Sequence, residues 1–407
     1  MNARSVVGLA ALVLLVHCGD SSNDGAAGAD AGSSVGSGPA GDSGIGSNVD
    51  GGGSGSAPPI APTLLVSTYV GGAGDQYITD LAFDTSGHLT AKMGAATITY
   101  DTSALTGTTT GDLSATMDAT KFPVNYPLPQ GGLSTNTTTD ARNGQTYTWG
   151  THPNVGKSGT VCPDQCKGEC TPGSSQPGLL QMAFVTSSVG WKLWDFDWDH
   201  CVQECVVADS RGYDLFPVAN GKVGVMLWTD GGDTPLLHGP SDVTQTATFT
   251  QGSFGENPGG MGILFALLDP ANGTVSGGTW LATHATYHTT DPWGRVYITK
   301  AIPIRYGKSA LPQPTNPFAM STNATSGLFV LRPDFTQPET HFYLGGDPGT
   351  CAGSNGIQLF DAVALSGNLL ALAGTTCATD LATTPNAVQA KLGGGQDGFL
   401  IILKLWN

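Results

Sequence analysis

The chain has little of what builds helices and little that binds polyanions. Its 407 residues include four Glu, and only 12% are charged. Long helices draw on Ala, Leu, Glu and Lys, so this composition argues against a helical protein. Lys and Arg number 16 against 32 Asp plus Glu, for a formal charge of −16. That balance argues against nucleic acid as a partner, because binding phosphates needs a basic face. No apolar run approaches the ~20 residues that span a bilayer. What is abundant is Gly, at 59, with Thr, Val and aromatic residues set between turn signals. Such a composition favours strands.

Arg4 and the apolar run from Val6 to Val16 read as an export signal. Leu15-Val16-His17-Cys18 resembles the lipobox of bacterial lipoproteins, with His17 where a small residue is usual. The resemblance implies a signal peptide over 1–17 and lipidation of Cys18. It places the protein in the bacterial cell envelope, at the outer membrane or cell surface. Ordinary cleavage nearby would leave it secreted instead. Residues 18–62 are rich in Gly, Ser, Ala and Asp and lack Lys and Arg. With so little apolar surface to offset ordering, they are expected to form a disordered tether to a folded domain over 63–407.

Within that domain, strand–Gly–strand units centre on Gly87, Gly144, Gly221, Gly294 and Gly367. Recurrence at 57 to 77 residues marks an array of sheet units. The last unit is the clearest: Ile357–Leu365, a turn at Ser366-Gly367, Asn368–Gly374, then Gly398–Trp406. Gly accepts the positive φ of such hairpin turns without steric cost. A second hairpin follows in the units around Leu179–Asp197, Gly262–Thr283 and Gly327–Leu344. Each unit is then a four-stranded meander, the blade of an all-β propeller. The last unit lacks a fourth strand, and Leu64–Val70 has no unit of its own. Strand 64–70 is therefore expected to pair with strand 398–406 and close the ring. Five blades are favoured, with six as the alternative.

Ser67-Thr-Tyr-Val-Gly-Gly-Ala-Gly-Asp75 resembles the opening of the bacterial SBBP-type β-propeller repeat. Ala373-Gly-Thr-Thr376, Thr383–Ala387 and Gly393-Gly-Gly-Gln-Asp-Gly-Phe399 resemble its later elements. The likeness covers about 64–95 and 340–407 and is diluted between. It implies the propeller fold and no general catalytic activity.

In a four-stranded meander, first-to-second and third-to-fourth connections share one face; the others share the opposite face. The second set is the long one here: 151–178, 230–261, 302–326 and 376–397. Long loops on a rigid scaffold are where binding concentrates. The seven cysteines beyond Cys18 fall in or beside that set and suit an oxidising compartment. Cys351 and Cys377 are expected to pair. Cys162, Cys166, Cys170, Cys201 and Cys205 can form up to two more disulfides, with the odd one not readable from spacing. Their gaps of three residues fit zinc motifs poorly.

Trp191–His200 alternates Trp194, Phe196 and Trp198 on one side with Asp195, Asp197 and Asp199 on the other. Its functional reading is a carbohydrate platform at Trp194 and Trp198, or a calcium site. The plainer reading is an outer strand packed between blades. His284 and His288 share a strand face, and a structural role outweighs a metal pair. Gly71–Asp75 resembles calcium-binding glycine repeats but occurs once, and reads as a blade linker. Asp75, Asp199, Asp347 and Asp397 fall toward the long-loop face, as candidates for a metal site at the channel mouth. No cofactor is otherwise indicated; calcium is the one considered. No catalytic triad or phosphate loop stands out, so the chain reads as more a binder than an enzyme. The leading expectation is a surface-anchored binding, adhesion or scaffold module recognising a cell-surface protein or glycan. A secreted hydrolase or calcium-dependent enzyme and a structural envelope component are the alternatives.

Overall fold

The computed structural model describes residues 56–113, 135–152, 182–194, 210–229, 262–281, 285–301, 315–324, 326–336, 338–347, 349 and 359–407. All of them belong to one compact unit, Gly41–Asn407. The signal peptide, Cys18 and most of the tether lie outside the described residues.

Among the described residues there is no α-helix, and twenty strands form five four-stranded antiparallel sheets. Sheet 1 holds β2 (Asp80–Phe83), β3 (His88–Met93), β4 (Ala96–Asp101) and β5 (Thr106–Thr110). Sheet 2 holds β6 (Thr135–Asp140), β7 (Gln145–His152), β8 (Met182–Ser187) and β9 (Lys192–Trp194). Sheet 3 holds β10 (Ser210–Pro217), β11 (Val223–Thr229), β12 (Gly262–Leu268) and β13 (Val275–Leu281). Sheet 4 holds β14 (Ala285–Thr290), β15 (Val296–Ala301), β16 (Ser326–Leu331) and β17 (Pro338–Tyr343). Sheet 5 runs β18 (Leu359–Ser366), β19 (Leu369–Thr376), β20 (Asp397–Lys404) and finally β1 (Thr63–Val70).

The opening strand thus completes the closing sheet. Its register runs from Thr63 opposite Lys404 to Val70 opposite Gly398. Each first hairpin turns on a positive-φ glycine: Gly87, Gly144, Gly221, Gly294 and Gly367. An Asp side chain secures six of the short turns, with Asp101 accepting from the Ser103 and Ala104 amides and Asp334 from Thr336. Asp84 accepts from the Ser86 and His88 amides, Asp140 from Arg142, Asp269 from Ala271, and Asp291 from Trp293 and Arg295. Such bonds use the short side chain to mimic the backbone of a turn.

Strand alternation gives the sheets apolar faces, and four shared clusters link them in series. Tyr147, Val185 and Leu193 of sheet 2 pack with Leu215, Val225 and Leu264 of sheet 3. Phe216 and Phe265 of sheet 3 meet Val296 and Phe329 of sheet 4. Leu328 and Phe342 of sheet 4 meet Leu372 and Phe399 of sheet 5. Val70 and Leu400 of sheet 5 meet Leu89 and Ile98 of sheet 1. Among the described residues no such cluster joins sheet 1 to sheet 2. The remaining face of each carries threonine instead: the rows Thr90–Thr99–Thr108 and Thr137–Thr148–Thr186.

The short turns of neighbouring sheets touch one another. Arg142 in the β6–β7 turn donates to the carbonyls of Val218 and Lys222 in the β10–β11 turn. Gly294 in the β14–β15 turn lies against Val218 and Ala219. Trp293 meets Trp406 edge-on at 5.3 Å. The expected split into short and long connections has two exceptions. Strands β3 and β4 join directly through Gly94-Ala95, and β13 reaches β14 through residues 282–284.

Candidate functional site

The long connection between β19 and β20 folds back onto the linker that leaves β1. Two glycine-rich segments meet there, Gly71-Gly-Ala-Gly-Asp-Gln76 and Gly393-Gly-Gly-Gln-Asp397. A Cβ on Gly393 would stand 2.7 Å from the Gly72 carbonyl, and one on Gly394 would run into the Gly74 carbonyl. Only glycine allows backbones this close. The Gln396 amide donates to Asp75 Oδ1 at 3.1 Å, and the Gln76 amide donates to the Gln396 carbonyl at 3.0 Å.

Asp397 lies at the centre of this junction and is 0% exposed. Its Oδ2 accepts from Gln389 Nε2 at 2.6 Å and from the Gly393 amide at 2.7 Å. Burial pushes its carboxyl above the usual range, and Asp75 pushes in the same direction; bonds from Gly393, Gln389 and Gly394 oppose them. Its Oδ1 and Gln76 Nε2 are buried without a hydrogen-bond partner. Gln389 bridges the two segments, taking the Gly71 amide on Oε1 at 2.9 Å.

Beside this junction, Tyr69 donates its hydroxyl to the Ala378 carbonyl at 2.8 Å and accepts from the Leu381 amide at 2.9 Å. Burial pushes its phenol up to about 12, helped by the charges of Asp380 and Asp397. Asp380 in turn accepts from the Asp347 amide at 2.6 Å, and Asp347 Oδ2 accepts from Asn323 Nδ2 at 2.9 Å. Of the four carboxylates expected at one mouth, Asp75 and Asp397 therefore come together. Asp347 is held apart with Asp380 and Asn323, and Asp199 lies outside the described residues. Among the described residues, no three Asp, Glu, His or Cys side chains converge as metal ligands would.

Cys377 is buried and disulfide-bonded. It is the one cysteine among the described residues, so its partner, along with Cys351, Cys162, Cys166, Cys170, Cys201 and Cys205, lies outside them. Trp194 ends β9 opposite Phe184, and Trp198 lies outside the described residues. Trp191, from the same string, packs inward: its indole N–H donates to the Pro270 carbonyl at 2.7 Å, and its ring meets Tyr147 at 5.9 Å.

One histidine–carboxylate pair could not be read from spacing. His288 on β14 faces Asp214 on β10, with Nε2 and Oδ2 3.6 Å apart and Phe216 against the imidazole at 4.0 Å. Asp214 keeps 41% of its side-chain surface accessible. Burial nevertheless pushes its carboxyl up, against the pull of His288, so water touches it while protein surrounds it. Burial likewise pushes the His288 imidazole down, against the pull of Asp214. A bulge at Gly212/Asp214 aims the carboxylate this way, and no sequence periodicity announces it. His284, its expected companion, lies outside the described residues.

Comparison with known proteins adds no identity. No family model matches the chain, and no curated protein matches it. Among solved structures it is similar to the crystal structure of Citrobacter koseri AztD, at 11% identity and a TM-score of 0.22, covering 79% of this chain and 89% of that one. A likeness at that level carries no argument about fold or function.

Proposed function

We propose that the five sheets close into a five-bladed β-propeller that serves as a binding, adhesion or scaffold module of the bacterial cell envelope. In this reading Cys18 carries the lipid, residues up to 62 are the stalk, and the long connections meet a cell-surface protein or glycan. The observation that carries it is the asymmetry between the two ends of the sheets. At one end, short turns are tied by Asp side chains and by Arg142, leaving little free backbone for recognition. At the other end, the segments 153–181, 230–261, 302–325 and 377–396 leave the strands. Binding surfaces concentrate on long loops held by a rigid frame.

The path of the stalk supports the same polarity. The Ala61 amide donates to the Leu405 carbonyl at 2.9 Å, and the Leu405 amide donates to the Asn368 carbonyl in the β18–β19 turn at 2.8 Å. Arg295 Nη1 holds the Pro58 carbonyl at 2.7 Å. The chain thus arrives at the short-turn end, which leaves the long connections on the far side from an anchor.

The test is a glycan array and an envelope-protein binding screen, using the soluble chain from residue 19 and a variant with 230–261 replaced by Asn-Gly. Thr229 and Gly262 already face each other in register, so a two-residue turn joins them without strain. The full chain is expected to bind and the variant to fold but bind less. Absence of binding by the full chain, or equal binding by several long-loop replacements, defeats the proposal.

A further inference from the structure

The junction between Gly71–Gln76 and Gly393–Asp397 brings two acidic side chains together, and among the described residues no cationic side chain pairs with either. Among the described residues, the charged group that acts on Asp397 is Asp75, which is also negative. The nearest polar partners of Asp397 are an amide side chain and backbone N–H groups. Hydrogen bonds of this kind satisfy Oδ2 but do not neutralise a carboxylate removed from water, which is costly when left unpaired.

A second, separate observation concerns the polar atoms left over. Asp397 Oδ1 has no partner, and neither does Gln76 Nε2, although both residues are 0% exposed. Asp397 Oδ1 and Gln76 Oε1 each lie 2.6 Å from where a Gly71 Cβ would stand, so about 5 Å at most separates them. An ion held at the 2.3–2.6 Å typical of calcium–oxygen contacts can touch two oxygens spaced in that way. A missing group here must satisfy an oxygen acceptor, an amide N–H and an excess of negative charge together. A water molecule meets the first two demands only. A cation carrying a water ligand meets all three.

We propose that this junction is a calcium site in which Asp397 Oδ1 and Gln76 Oε1 are ligands and Asp75 contributes charge, clasping the linker after β1 to the loop before β20. An all-oxygen donor set suits a hard cation, and calcium tolerates irregular geometry better than magnesium does. The site does not depend on ring closure or on any partner, because it uses only the observed pairing of β1 with β20. A calcium-dependent clasp would hold the two ends of the domain together at the millimolar calcium found outside cells.

The experiment uses the soluble chain from residue 19, stripped with chelator and titrated with CaCl2 in a calorimeter, with parallel thermal melts. One calcium per chain is expected to bind with a dissociation constant on the order of 10⁻⁴–10⁻³ M, the range of extracellular modules. The melting temperature should rise with calcium and respond far less to magnesium. Asp397→Asn should abolish binding, Asp75→Asn should weaken it at least tenfold, and Asp347→Asn should leave it unchanged. If Asp397→Asn does not fold, Asp75→Asn alone carries the test, since Asp75 is only partly buried. No calcium binding by the unmodified chain overturns the site, as does binding that survives both substitutions. A third outcome overturns it too: Asp397→Asn stabilising the calcium-free protein, with no calcium effect in either form. Asp397 would then be a neutral acid holding a proton. Absence of partner binding by the full chain with calcium binding intact would refute the binding-module reading and leave this one standing.

Discussion

Removing the charge of Asp291 should cost more than any other single-atom change at the short-turn end. Arg295 is fully buried, and its Nε donates to Asp291 Oδ2 at 2.6 Å. Tyr297 donates to the same oxygen at 3.0 Å, and the Trp293 and Arg295 amides occupy Oδ1. Nη1 reaches Glu339 at 3.2 Å and the Pro58 carbonyl, and the guanidinium lies 5.5 Å and 5.0 Å from the Trp293 and Trp406 rings. Asp291→Asn keeps the shape but turns an amide toward the guanidinium and the phenol. Breaking one side of a buried pair typically costs about 3–5 kcal/mol, because the remaining charge stays desolvated. At roughly 2 °C per kcal/mol for a large domain, the melting temperature should fall by about 6–10 °C. The double variant Asp291→Leu with Arg295→Met removes both charges and should lose less than Asp291→Asn alone. Scanning calorimetry of the soluble chain measures both. A fall under about 2 °C for Asp291→Asn, or a double variant that loses the sum of the singles, would refute the reasoning that this pair is a coupled buried unit.

Three further outcomes follow from particular contacts. Gly277→Ala puts a methyl onto the Asp334 carbonyl, so sheets 3 and 4 must separate locally; a loss of about 1–3 kcal/mol in denaturant melts is expected. Tyr69 has its folded-state phenol raised to about 12 from 10.0, so the protonated form is the stabilised one. Its contribution is complete below pH 10 and is lost as pH rises toward 12; Tyr69→Phe should flatten stability over that window while lowering it at neutral pH. Replacing 230–261 by Asn-Gly shortens a loop from roughly 32 residues to two, four halvings worth at most about 2.4 kcal/mol of closure entropy. The melting temperature of that variant should hold or rise, and a fall of several degrees would mean the segment belongs to the core.

The repeat was legible because its turns are chemically conspicuous. Ser86-Gly87, Asn220-Gly221 and Ser366-Gly367 sit between apolar runs, and each glycine adopts the positive φ that the turn requires. The first unit was harder to read. In its second hairpin Ala96, Ile98 and Tyr100 alternate inward, but Thr106–Thr110 has no apolar residue, so hydrophobic alternation marks only one arm. Strand β9 is described over Lys192–Trp194, and the remainder of the expected run to Asp197 lies outside the described residues. The pairing of Leu64–Val70 with the last strand could be inferred, because an unpaired run at one end matched a missing strand at the other.

The acidic side chains show where sequence reading ends. Asp84, Asp140, Asp269 and Asp291 could be expected to close turns, since an Asp two residues before an amide acts locally. That Arg142 would reach across to the Val218 and Lys222 carbonyls of another sheet was not available from spacing. The expected docking of β1 beside β20 already set Asp75 and Asp397 at one face; that Asp397 would be fully buried there was not available from spacing. His288 and Asp214 are a similar case, joined by a bulge that redirects one side chain.

Turn chemistry, strand periodicity and export signals act over a few residues, so the sequence alone determined the strand content, the five hairpin centres and the order in which strands meet. Which charges face each other depends on the docking of whole sheets, which sums many weak apolar contacts with no local mark. Tertiary structure alone therefore decided that Asp397 is fully buried, and that residues 58–61 meet the domain at its short-turn end.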